Sequence, residues 1–324
     1  MMKVKLAPLQ QGIEKLLIQQ QCAREEAQIV AENLIWNTRI GRDAHGLARL
    51  KPLVERLSQG LIVAPCQPTY VRKSPALMHV HGKNGLGQYI GYCAMQKALD
   101  LAKEQGLGGV SVSESNWNGT GAYYVQLAAE RGMLGLCMSN GFAKVNAFGG
   151  SQPVFGTNPV ACGVPRKNGE SILIDLATSQ WSGGRTREAL QRGETPPSDA
   201  LSPLGGIKGS ALGLMVEVFS ALLTGAGLSK EVGSMFSTEP GKLQGQFFLA
   251  LNITVLMELD VFCARTDQLL THIKDAGVAP VFYPGERRWL ALQKNGADHV
   301  KLPLSTYHAL KSLMDTEMLQ EAIS

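Results

Sequence analysis

The chain has 324 residues, 44% of them hydrophobic, and its 31 Lys and Arg against 27 Asp and Glu give a formal net charge of +4. That length allows a large core in two or three lobes, and a balanced charge without a long run of one sign argues against a nucleic-acid-binding arm. Six scattered cysteines without a Cys-x-x-Cys pair argue against a zinc ribbon and against a disulfide-stapled secreted fold.

The hydropathy of the sequence indicates whether the chain carries a signal peptide or a membrane-spanning segment. No apolar segment of signal-peptide type follows Met1–Lys5. The most apolar stretches, Ala211–Leu228 and Phe247–Met257, are interrupted by Glu217 or are shorter than the roughly 20 residues that span a bilayer. We therefore expect a soluble, cytoplasmic protein with no membrane or nucleic-acid partner.

The opening of the chain is helical in pattern. Apolar periodicity predicts helices over Leu9–Gln20, Glu25–Asn37 and Ala44–Ser58, the last ended by Gly60. Beyond Pro65, short β-branched runs alternate with helical patterns, which is typical of α/β layers. The predicted strands are Tyr70–Arg72, Leu77–Val80, Gly109–Ser113, Leu134–Met138 and Ser171–Ile174, and the helices between them are Gln88–Glu104 and Tyr123–Arg131.

The second half continues the alternation. Phe148 to Pro165 is rich in Gly and Pro and has little helical periodicity, whereas Lys208 to Leu223 predicts a long amphipathic helix. The last third predicts a strand at Phe247–Leu251, a helix at Val261–Asp275, a short strand before Pro284, and terminal helices.

His45 and Arg49 form the most informative local pattern, within Gly41-Arg-Asp-Ala-His-Gly-Leu-Ala-Arg49. Four residues apart on a helix, they would share one face. Reduction of a 2-oxo acid needs a proton donor for the carbonyl oxygen and a group that holds the carboxylate, and a histidine and a guanidinium supply these. Spacing alone leaves the alternative open that this is a surface His/Arg pair beside a helix start.

Three further segments could approach a cofactor. Phe155-Gly-Thr-Asn-Pro159 and Ile174-Asp-Leu-Ala-Thr-Ser179 place small polar residues at the ends of apolar strands, where ribose and phosphates could meet amides and hydroxyls. Leu204-Gly-Gly-Ile-Lys-Gly209 opens a helix, so Lys208 could meet a phosphate. Taken alone, each segment is better explained as a turn or a plain helix entry than as a cofactor site.

Several common site motifs are missing from the sequence. No Gly-x-Gly-x-x-Gly fingerprint follows a first strand, and no phosphate-binding Gly-x-x-x-x-Gly-Lys-Ser/Thr loop occurs. His272, His299 and His308 lie in contexts that favour structural roles, while His79 and His81 alternate on a strand without further ligand spacing. We therefore predict no metal site.

Read together, the segments resemble the malate/L-lactate dehydrogenase family, which includes ureidoglycolate, sulfolactate and diketogulonate enzymes and cyclic-ketimine reductases. Seven motifs in family order carry the resemblance. They are Asp43-Ala-His-Gly-Leu-Ala-Arg49-Leu, Gly85-Leu-Gly-Gln88, Ala122-Tyr-Tyr124 with Ala128-Ala-Glu-Arg-Gly132, Phe155-Gly-Thr-Asn-Pro159, Asp175-Leu-Ala-Thr-Ser179, Gly205-Gly-Ile-Lys-Gly209 and Tyr283-Pro-Gly-Glu-Arg287.

The resemblance implies a non-Rossmann NAD(P)-binding α/β domain with a mixed sheet, residues 73–258, and a helical, dimerising lobe from both chain termini, residues 1–72 with 259–324. It implies a homodimer, NAD or NADP as cofactor, and a 2-oxo acid or cyclic imino acid as substrate. His45 would be the acid/base and Arg49 the carboxylate ligand. The residues implied to line the dinucleotide are Ser139, Thr157, Asn158, Asp175, Ala177, Lys208, Gly285 and Glu286.

Three departures from the family pattern stand out. Where relatives commonly carry a second histidine, Glu114-Ser-Asn-Trp-Asn-Gly119 has Trp117, which cannot transfer a proton and which we expect either to form an apolar pocket floor that binds substrate or to be a structural aromatic. The connection from Thr178 to Leu204 is shorter than in relatives, which predicts a missing lid or wall and weaker cofactor binding. Ile207 replaces a larger or polar residue.

Two functions remain open from the sequence. The retained Asp-x-His-Gly-x-x-Arg segment and the cofactor-side motifs favour an active NAD(P)H-dependent 2-hydroxyacid dehydrogenase or reductase. Trp117 and the short connection favour the alternative, a catalytically impaired relative that persists as a dimeric binding or structural protein.

Overall fold

The computed structural model describes residues 1–237 and 243–314. Its strands are β1 (Met2–Lys5), β2 (Thr69–Ser74), β3 (Leu77–Gly85), β4 (Leu107–Ser115), β5 (Met133–Ser139), β6 (Val145–Asn146), β7 (Pro153–Phe155), β8 (Val160–Val164), β9 (Ile172–Leu176), β10 (Gln244–Asn252) and β11 (His299–Leu302). Its α-helices are α1 (Leu6–Gln19), α2 (Arg24–Arg39), α3 (Leu50–Ser58), α4 (Gly87–Gln105), α5 (Gly121–Glu130), α6 (Gly183–Gln191), α7 (Ile207–Glu217), α8 (Leu259–Asp275), α9 (Glu286–Asn295) and α10 (Leu304–Lys311).

Seven strands form one sheet in the order β2-β3-β4-β10-β5-β8-β9. Only β3 and β4 pair in parallel, and every other neighbouring pair in this sheet is antiparallel. A Rossmann sheet is mostly parallel, so the α/β class with a mixed, non-Rossmann sheet is confirmed.

Helices cover both faces of this sheet. On one face, α4 packs on β3, β4 and β10, and α5 packs on β5, β8 and β9. Fully buried Val112, Tyr124 and Phe248 lie in the core between them. On the other face, α7 and the π-helical turn Val218–Leu222 contact β5 and β10.

A second core joins the two ends of the chain. Leu9, Leu34 and Leu50 from the first three helices pack with Val300 of β11 and Leu310 of α10. β1 pairs antiparallel with β11, with Met2 opposite Leu302. The helical lobe built from both termini is therefore confirmed.

The residue limits of the two lobes stay a prediction. β2 begins at Thr69 and belongs to the large sheet, and Leu270 and Trp289 pack into the core of that sheet. Residues 315–324, which we assigned to the helical lobe, lie outside the described residues. Within the described ranges, no helix is long and apolar enough to cross a membrane.

Three predicted elements differ in the structure. The helix predicted from Ala44 begins only at Leu50, after two 3-10 turns. The helix predicted over 208–223 changes to a π-helical turn at Val218. The short strand before Pro284 is absent, because the chain there runs as a loop whose Pro284 carbonyl accepts a hydrogen bond from the Leu173 amide.

The sheet topology determines where side chains can converge. β4 and β5 both pair antiparallel with β10, which lies between them. The carboxyl ends of β4 and β5 therefore lie at the same side of the sheet, where these strands end. Trp117 follows β4, and Ser139 ends β5. The turns after α2 approach this edge from the helical lobe.

Candidate active site

His45 and Arg49 lie in two consecutive 3-10 turns, Asp43–His45 and Leu47–Arg49. Gly46 separates the turns with extended backbone angles, because it lies against α2: a Cβ on Gly46 would be 2.2 Å from Thr38 Oγ1 and 2.8 Å from the Leu34 carbonyl oxygen. The prediction that the pair shares one helix face is therefore wrong. Both side chains nevertheless reach the same cavity.

Asp43 is the anchor of these turns. Thr38 Oγ1 donates a hydrogen bond to Asp43 Oδ1 at 3.0 Å, and Thr306 Oγ1 of α10 donates to Oδ2 at 2.5 Å. Thr38 Oγ1 also accepts a hydrogen bond from the Leu47 amide at 2.9 Å. Hydroxyl groups from both ends of the chain thus position the segment that carries His45.

A cavity of about 620 Å³ lies between the turns and the sheet edge. That size is within the usual range for small-molecule sites. The structure brings together six of the residues predicted from the sequence, since the cavity is lined by His45, Arg49, Trp117, Ser139, Thr157 and Asn158. None of the described residues that line it is Asp or Glu.

Trp117 packs beside the His45 ring. The two ring centroids are 6.2 Å apart and the planes are inclined by 27°. Arg49 Cζ lies 5.7 Å from the centre of the Trp117 ring. The indole therefore forms part of the cavity wall and contacts both residues of the predicted catalytic pair.

The surroundings of His45 oppose its protonation. Burial, together with the positive charges of Arg49, Arg42 and Lys144, lowers the pKa of the imidazole to about 3. Arg49 is itself 6% exposed, and its Nε donates to the Ala44 carbonyl at 2.5 Å. Burial and the nearby Arg187 lower the pKa of Arg49 to about 10. In the unliganded protein, His45 is therefore a neutral ring at pH 7.

Asn158 stabilises the turn in which it lies. It has a positive φ of 35°, and its Nδ2 donates to the Gly213 carbonyl and to Glu217 Oε1, each at 3.0 Å. Thr157, next to it, accepts a hydrogen bond from the Thr178 amide at 2.9 Å. The two strand-end motifs predicted to approach a cofactor are thus bonded to each other. Asn158 Nδ2 is bonded to protein, whereas Asn158 Oδ1 is buried without a hydrogen-bond partner among the described residues.

Five predicted cofactor residues do not line the cavity: Asp175, Ala177, Lys208, Gly285 and Glu286. Asp175 forms a buried ion pair with Arg288 at 3.1 Å. Glu286 bonds to Lys274 and lines a separate surface cleft of about 330 Å³. Lys208 is exposed at the start of α7. Their assignment to the dinucleotide stays a prediction.

Comparison with known proteins places this arrangement in a family. A family model described as malate/L-lactate dehydrogenase matches residues 4–201 and 197–311. The chain belongs to the malate/L-lactate dehydrogenase family. The resemblance inferred from its seven ordered motifs is confirmed.

Individual members of the malate/L-lactate dehydrogenase family are similar over most of their length. A malate dehydrogenase of Pyrococcus abyssi is 34% identical over 297 residues, which cover 83% of this chain and 80% of the relative. A ureidoglycolate dehydrogenase (NAD(+)) of Escherichia coli is 28% identical over 333 residues, covering 96% and 95%. The crystal structure of a Δ1-piperideine-2-carboxylate reductase of Pseudomonas syringae superimposes with a TM-score of 0.87 at 27% identity, covering 97% and 100%.

The connection from Thr178 to Leu204, predicted to be shorter than in relatives, contains α6. The two segments of the family match overlap at residues 197–201, within this connection. Nevertheless, α6 contributes Gly183, Gly184, Thr186 and Arg187 to the cavity lining. A helix from this connection therefore forms part of the cavity wall, and the expectation of a missing lid or wall relative to other family members stays a prediction.

Most of the other cavity residues were not identified from the sequence, among them Asn118, Lys144, Arg187 and Phe236. Lys144 lies in the segment between β5 and β6, and Arg187 lies in α6. Neither residue belongs to the seven motifs that carry the resemblance to the malate/L-lactate dehydrogenase family. The one property of Lys144 and Arg187 that could have drawn attention in the sequence is their positive charge. Such a signal is too weak to select them from the 31 Lys and Arg residues.

Proposed function

We propose that this protein is an NAD(P)-dependent oxidoreductase that transfers hydride between nicotinamide and a small 2-oxo or 2-hydroxy acid, or a cyclic 2-imino acid. The observation that carries the proposal is one cavity that contains an imidazole, a buried guanidinium and hydroxyl groups at the ends of adjacent strands. Family membership supports the reaction class, since relatives are dehydrogenases and reductases of hydroxy and imino acids.

The residues present fit a nicotinamide cofactor, either NAD or NADP. Asn118 Nδ2 is buried at the cavity without a hydrogen-bond partner among the described residues, and Ser139 and Thr157 contribute hydroxyl groups. Such donors and acceptors would hold the amide and ribose hydroxyls of a nicotinamide nucleotide. When bound, the cofactor supplies the hydride in reduction and accepts it in oxidation.

Arg49 would bind the substrate and His45 would transfer the proton. Arg49 holds the substrate carboxylate, and its planar guanidinium favours two parallel hydrogen bonds. His45 donates a proton to the oxygen or nitrogen of the reduced bond and removes it in the reverse direction, which contributes roughly 10²–10⁴-fold in rate. Burial and, after it, the surrounding cations lower the pKa of His45. The negative charge of a bound substrate would offset the effect of the cations and raise that pKa toward the range in which His45 can carry the proton.

The homodimer expected from the family has a matching surface. Ile207, Leu214, Val218 and Leu222 are spaced to share one side of α7 and the π-helical turn, and they are 65%, 55%, 41% and 58% exposed. An exposed apolar stripe of this kind is typical of a protein interface. We propose that a second copy of the chain covers it.

The expected location and lobe division are also proposals. All six cysteines are free thiols, which suits a reducing compartment such as the cytoplasm. Lobes of residues 1–72 with 259–324 and of residues 73–258 would surround the cavity, with His45 from the first and Ser139 from the second. The substrate is a small molecule held between them.

The decisive experiment combines cofactor binding with turnover. NADH and NADPH are titrated by protein fluorescence, and oxidation of the one that binds is followed with a panel of 2-oxo acids and cyclic imino acids. We expect His45→Gln to lower kcat by about 10²–10⁴-fold without weakening cofactor binding, and Arg49→Lys mainly to raise KM because an ammonium loses the bidentate geometry.

The alternative function has its own outcome. Cofactor binding without turnover of any panel member would support the impaired relative that Trp117 suggests. Failure to bind NADH and NADPH at millimolar concentration would refute the proposed activity. Wild-type kinetics in both variants would show that the site is elsewhere.

A further inference from the structure

Glu217 is a buried carboxylate that the proposed reaction does not use. It lies in α7, is 6% exposed, and does not line the cavity. None of the ion pairs among the described residues includes it. Burying an ionised carboxylate without a cation is costly unless hydrogen bonds compensate. The donors that satisfy Glu217 therefore indicate what it holds in place.

Two asparagine side chains supply hydrogen bonds to this carboxylate. Asn158 Nδ2 donates to Glu217 Oε1 at 3.0 Å, and Asn140 Nδ2 donates to Glu217 Oε2 at 3.4 Å. Burial raises the pKa of the Glu217 carboxyl, and hydrogen bonds from Asn158, Asn140 and the Ser229 backbone offset part of this rise. Each carboxylate oxygen thus accepts from a different turn of the chain.

Both asparagines line the cavity, next to the hydroxyl residues that we propose for cofactor binding. Asn140 follows Ser139, the last residue of β5, and Asn158 follows Thr157 in the turn that leads into β8. β5 ends where β8 begins, because the two strands are antiparallel neighbours. Glu217 is therefore bonded to the two adjacent turns that carry these hydroxyl groups.

The Asn158 turn needs support because its backbone is strained. Asn158 has a positive φ of 35°, which residues other than glycine rarely adopt. Its Nδ2 also donates to the Gly213 carbonyl, one helical turn before Glu217 in α7, at 3.0 Å. α7 changes to a π-helical turn at Val218, directly after Glu217, and such turns are frequent at functional sites. Two acceptors of one helix thus hold the same amide group.

Asn140 depends less on Glu217 than Asn158 does. Its Nδ2 also donates to the Gly227 carbonyl at 2.8 Å, and its Oδ1 accepts from the Gly245 amide of β10 at 3.0 Å. Asn158 Oδ1, by contrast, is buried without a partner among the described residues. Loss of the carboxylate should therefore loosen the Asn158 turn more than the Asn140 turn.

We propose that Glu217 is a positioning residue for the dinucleotide site, which fixes the turn of Thr157 and Asn158 against the end of β5. The hydroxyl groups of Ser139 and Thr157 are thereby held at a set separation before the cofactor binds. This inference rests on the proposed function, because the cofactor is what these hydroxyl groups would hold. Glu217 does not line the cavity, so it acts through the two asparagines.

Glu217→Gln tests the inference because it keeps the size of the side chain and changes its hydrogen bonding. A glutamine has one carbonyl oxygen and one amide group that donates, so it cannot accept from both asparagines. In either orientation, one asparagine amide meets another donor. We expect the Kd of NADH or NADPH, measured by protein fluorescence, to rise by about tenfold, near the lower limit for losing one hydrogen bond to a charged group.

Kinetics and a matched control separate positioning from general damage. At saturating cofactor, kcat of Glu217→Gln should stay within about threefold of wild type, since His45 and Arg49 lie in separate turns, whereas KM for the cofactor should rise by about tenfold. Glu26→Gln makes the same change at a carboxylate of α2 that is 1% exposed and does not line the cavity. It should leave the cofactor Kd within about twofold, and an equal rise in both variants would contradict a specific role of Glu217.

A double-mutant cycle tests whether Glu217 acts through Asn158. In a protein that already carries Asn158→Ala, Glu217→Gln should raise the cofactor Kd by less than about threefold, because the carboxylate no longer has that amide to hold. The full tenfold rise in this background would show that Glu217 acts by another route and would overturn the inference.

Hydrogen exchange in the cofactor-free protein tests the two turns without binding or turnover. Glu217→Gln should speed exchange at residues 155–159 more than at residues 138–142 and leave residues 69–85 unchanged. If the wild type binds neither NADH nor NADPH, the proposed function is refuted, and this exchange pattern would still support Glu217 as the residue that holds the turns. Unchanged exchange in both turns would overturn the inference whether or not a cofactor binds.

Discussion

Thr38 offers a sharp test of how the His45 segment is held in place. Its Oγ1 accepts a hydrogen bond from the Leu47 amide at 2.9 Å and donates one to Asp43 Oδ1 at 3.0 Å. Thr38→Val replaces this hydroxyl by a methyl of similar size. The Leu47 amide then lacks its acceptor, and Asp43 retains the hydrogen bond from Thr306.

The expected loss of stability follows from these two bonds. A buried amide left without a partner costs about 1–3 kcal/mol, and a hydrogen bond to a charged group contributes about 1.5–3 kcal/mol. Because the segment can relax and Asp43 keeps one donor, we expect the free energy of unfolding of Thr38→Val to fall by about 3 kcal/mol. Displacement of His45 should also lower kcat, since a shift of about 1 Å in a catalytic group can cost about 10²-fold.

The assay is urea unfolding followed by tryptophan fluorescence and far-UV circular dichroism, together with kcat at saturating cofactor. Thr266→Val is the matched control, because the Thr266 hydroxyl donates only to the Phe262 carbonyl, four residues earlier in α8, at 3.0 Å. We expect this control to lose less than about 1 kcal/mol. A Thr38→Val protein as stable and as active as the control would refute the anchoring role of Thr38.

Three further predictions concern pH, space and assembly. The pKa of His45 is about 3 in the folded protein, against an ordinary value of 6.5. Below pH 6.5 the unfolded state therefore takes up a proton that the folded state does not. The free energy of unfolding should fall by up to about 1.4 kcal/mol for each pH unit below 6.5. His45→Gln should flatten that slope in urea titrations at pH 5 to 6.5, and an unchanged slope would contradict the assignment. Gly184→Ala places a Cβ 2.7 Å from His45 Cε1 and should lower kcat at least about tenfold, with little change in cofactor affinity by fluorescence. Leu214→Asp should convert a dimer to a monomer in sedimentation velocity, whereas a wild-type monomer would remove the proposed interface.

Much of the fold could be predicted from local patterns. Apolar periodicity located α1, α2 and α4 to within a few residues, since each has a continuous buried face. The strands β8 and β11 were not predicted, because a five-residue strand between Pro159 and Pro165 and a four-residue strand near the end of the chain have too few residues to show alternation. Their existence depends on partners far away in the sequence.

The residues of the candidate site were likewise predicted from the sequence, whereas their geometry was not. Residue types and spacing identified His45 and Arg49 and, with the ordered motifs, their family, because chemistry of this kind needs those side chains close together. Their actual geometry follows from Gly46, which packs against Thr38 of α2 and breaks the expected helix. Sequence spacing could not show this break, since its cause is a contact with another helix.

The sequence by itself determined the α/β class and the family, and it supplied the prediction of His45 and Arg49 as a catalytic pair, because motifs and periodicity can be recognised without coordinates. Only the tertiary structure decided that Asp175 is paired with Arg288 outside the cavity, while Lys144 and Arg187 lie inside it. The reason is that charge pairing depends on distance through space. Lys144, which precedes β6, and Arg187 of α6 are more than forty residues apart in the sequence, and they line the same cavity only because the chain folds around it.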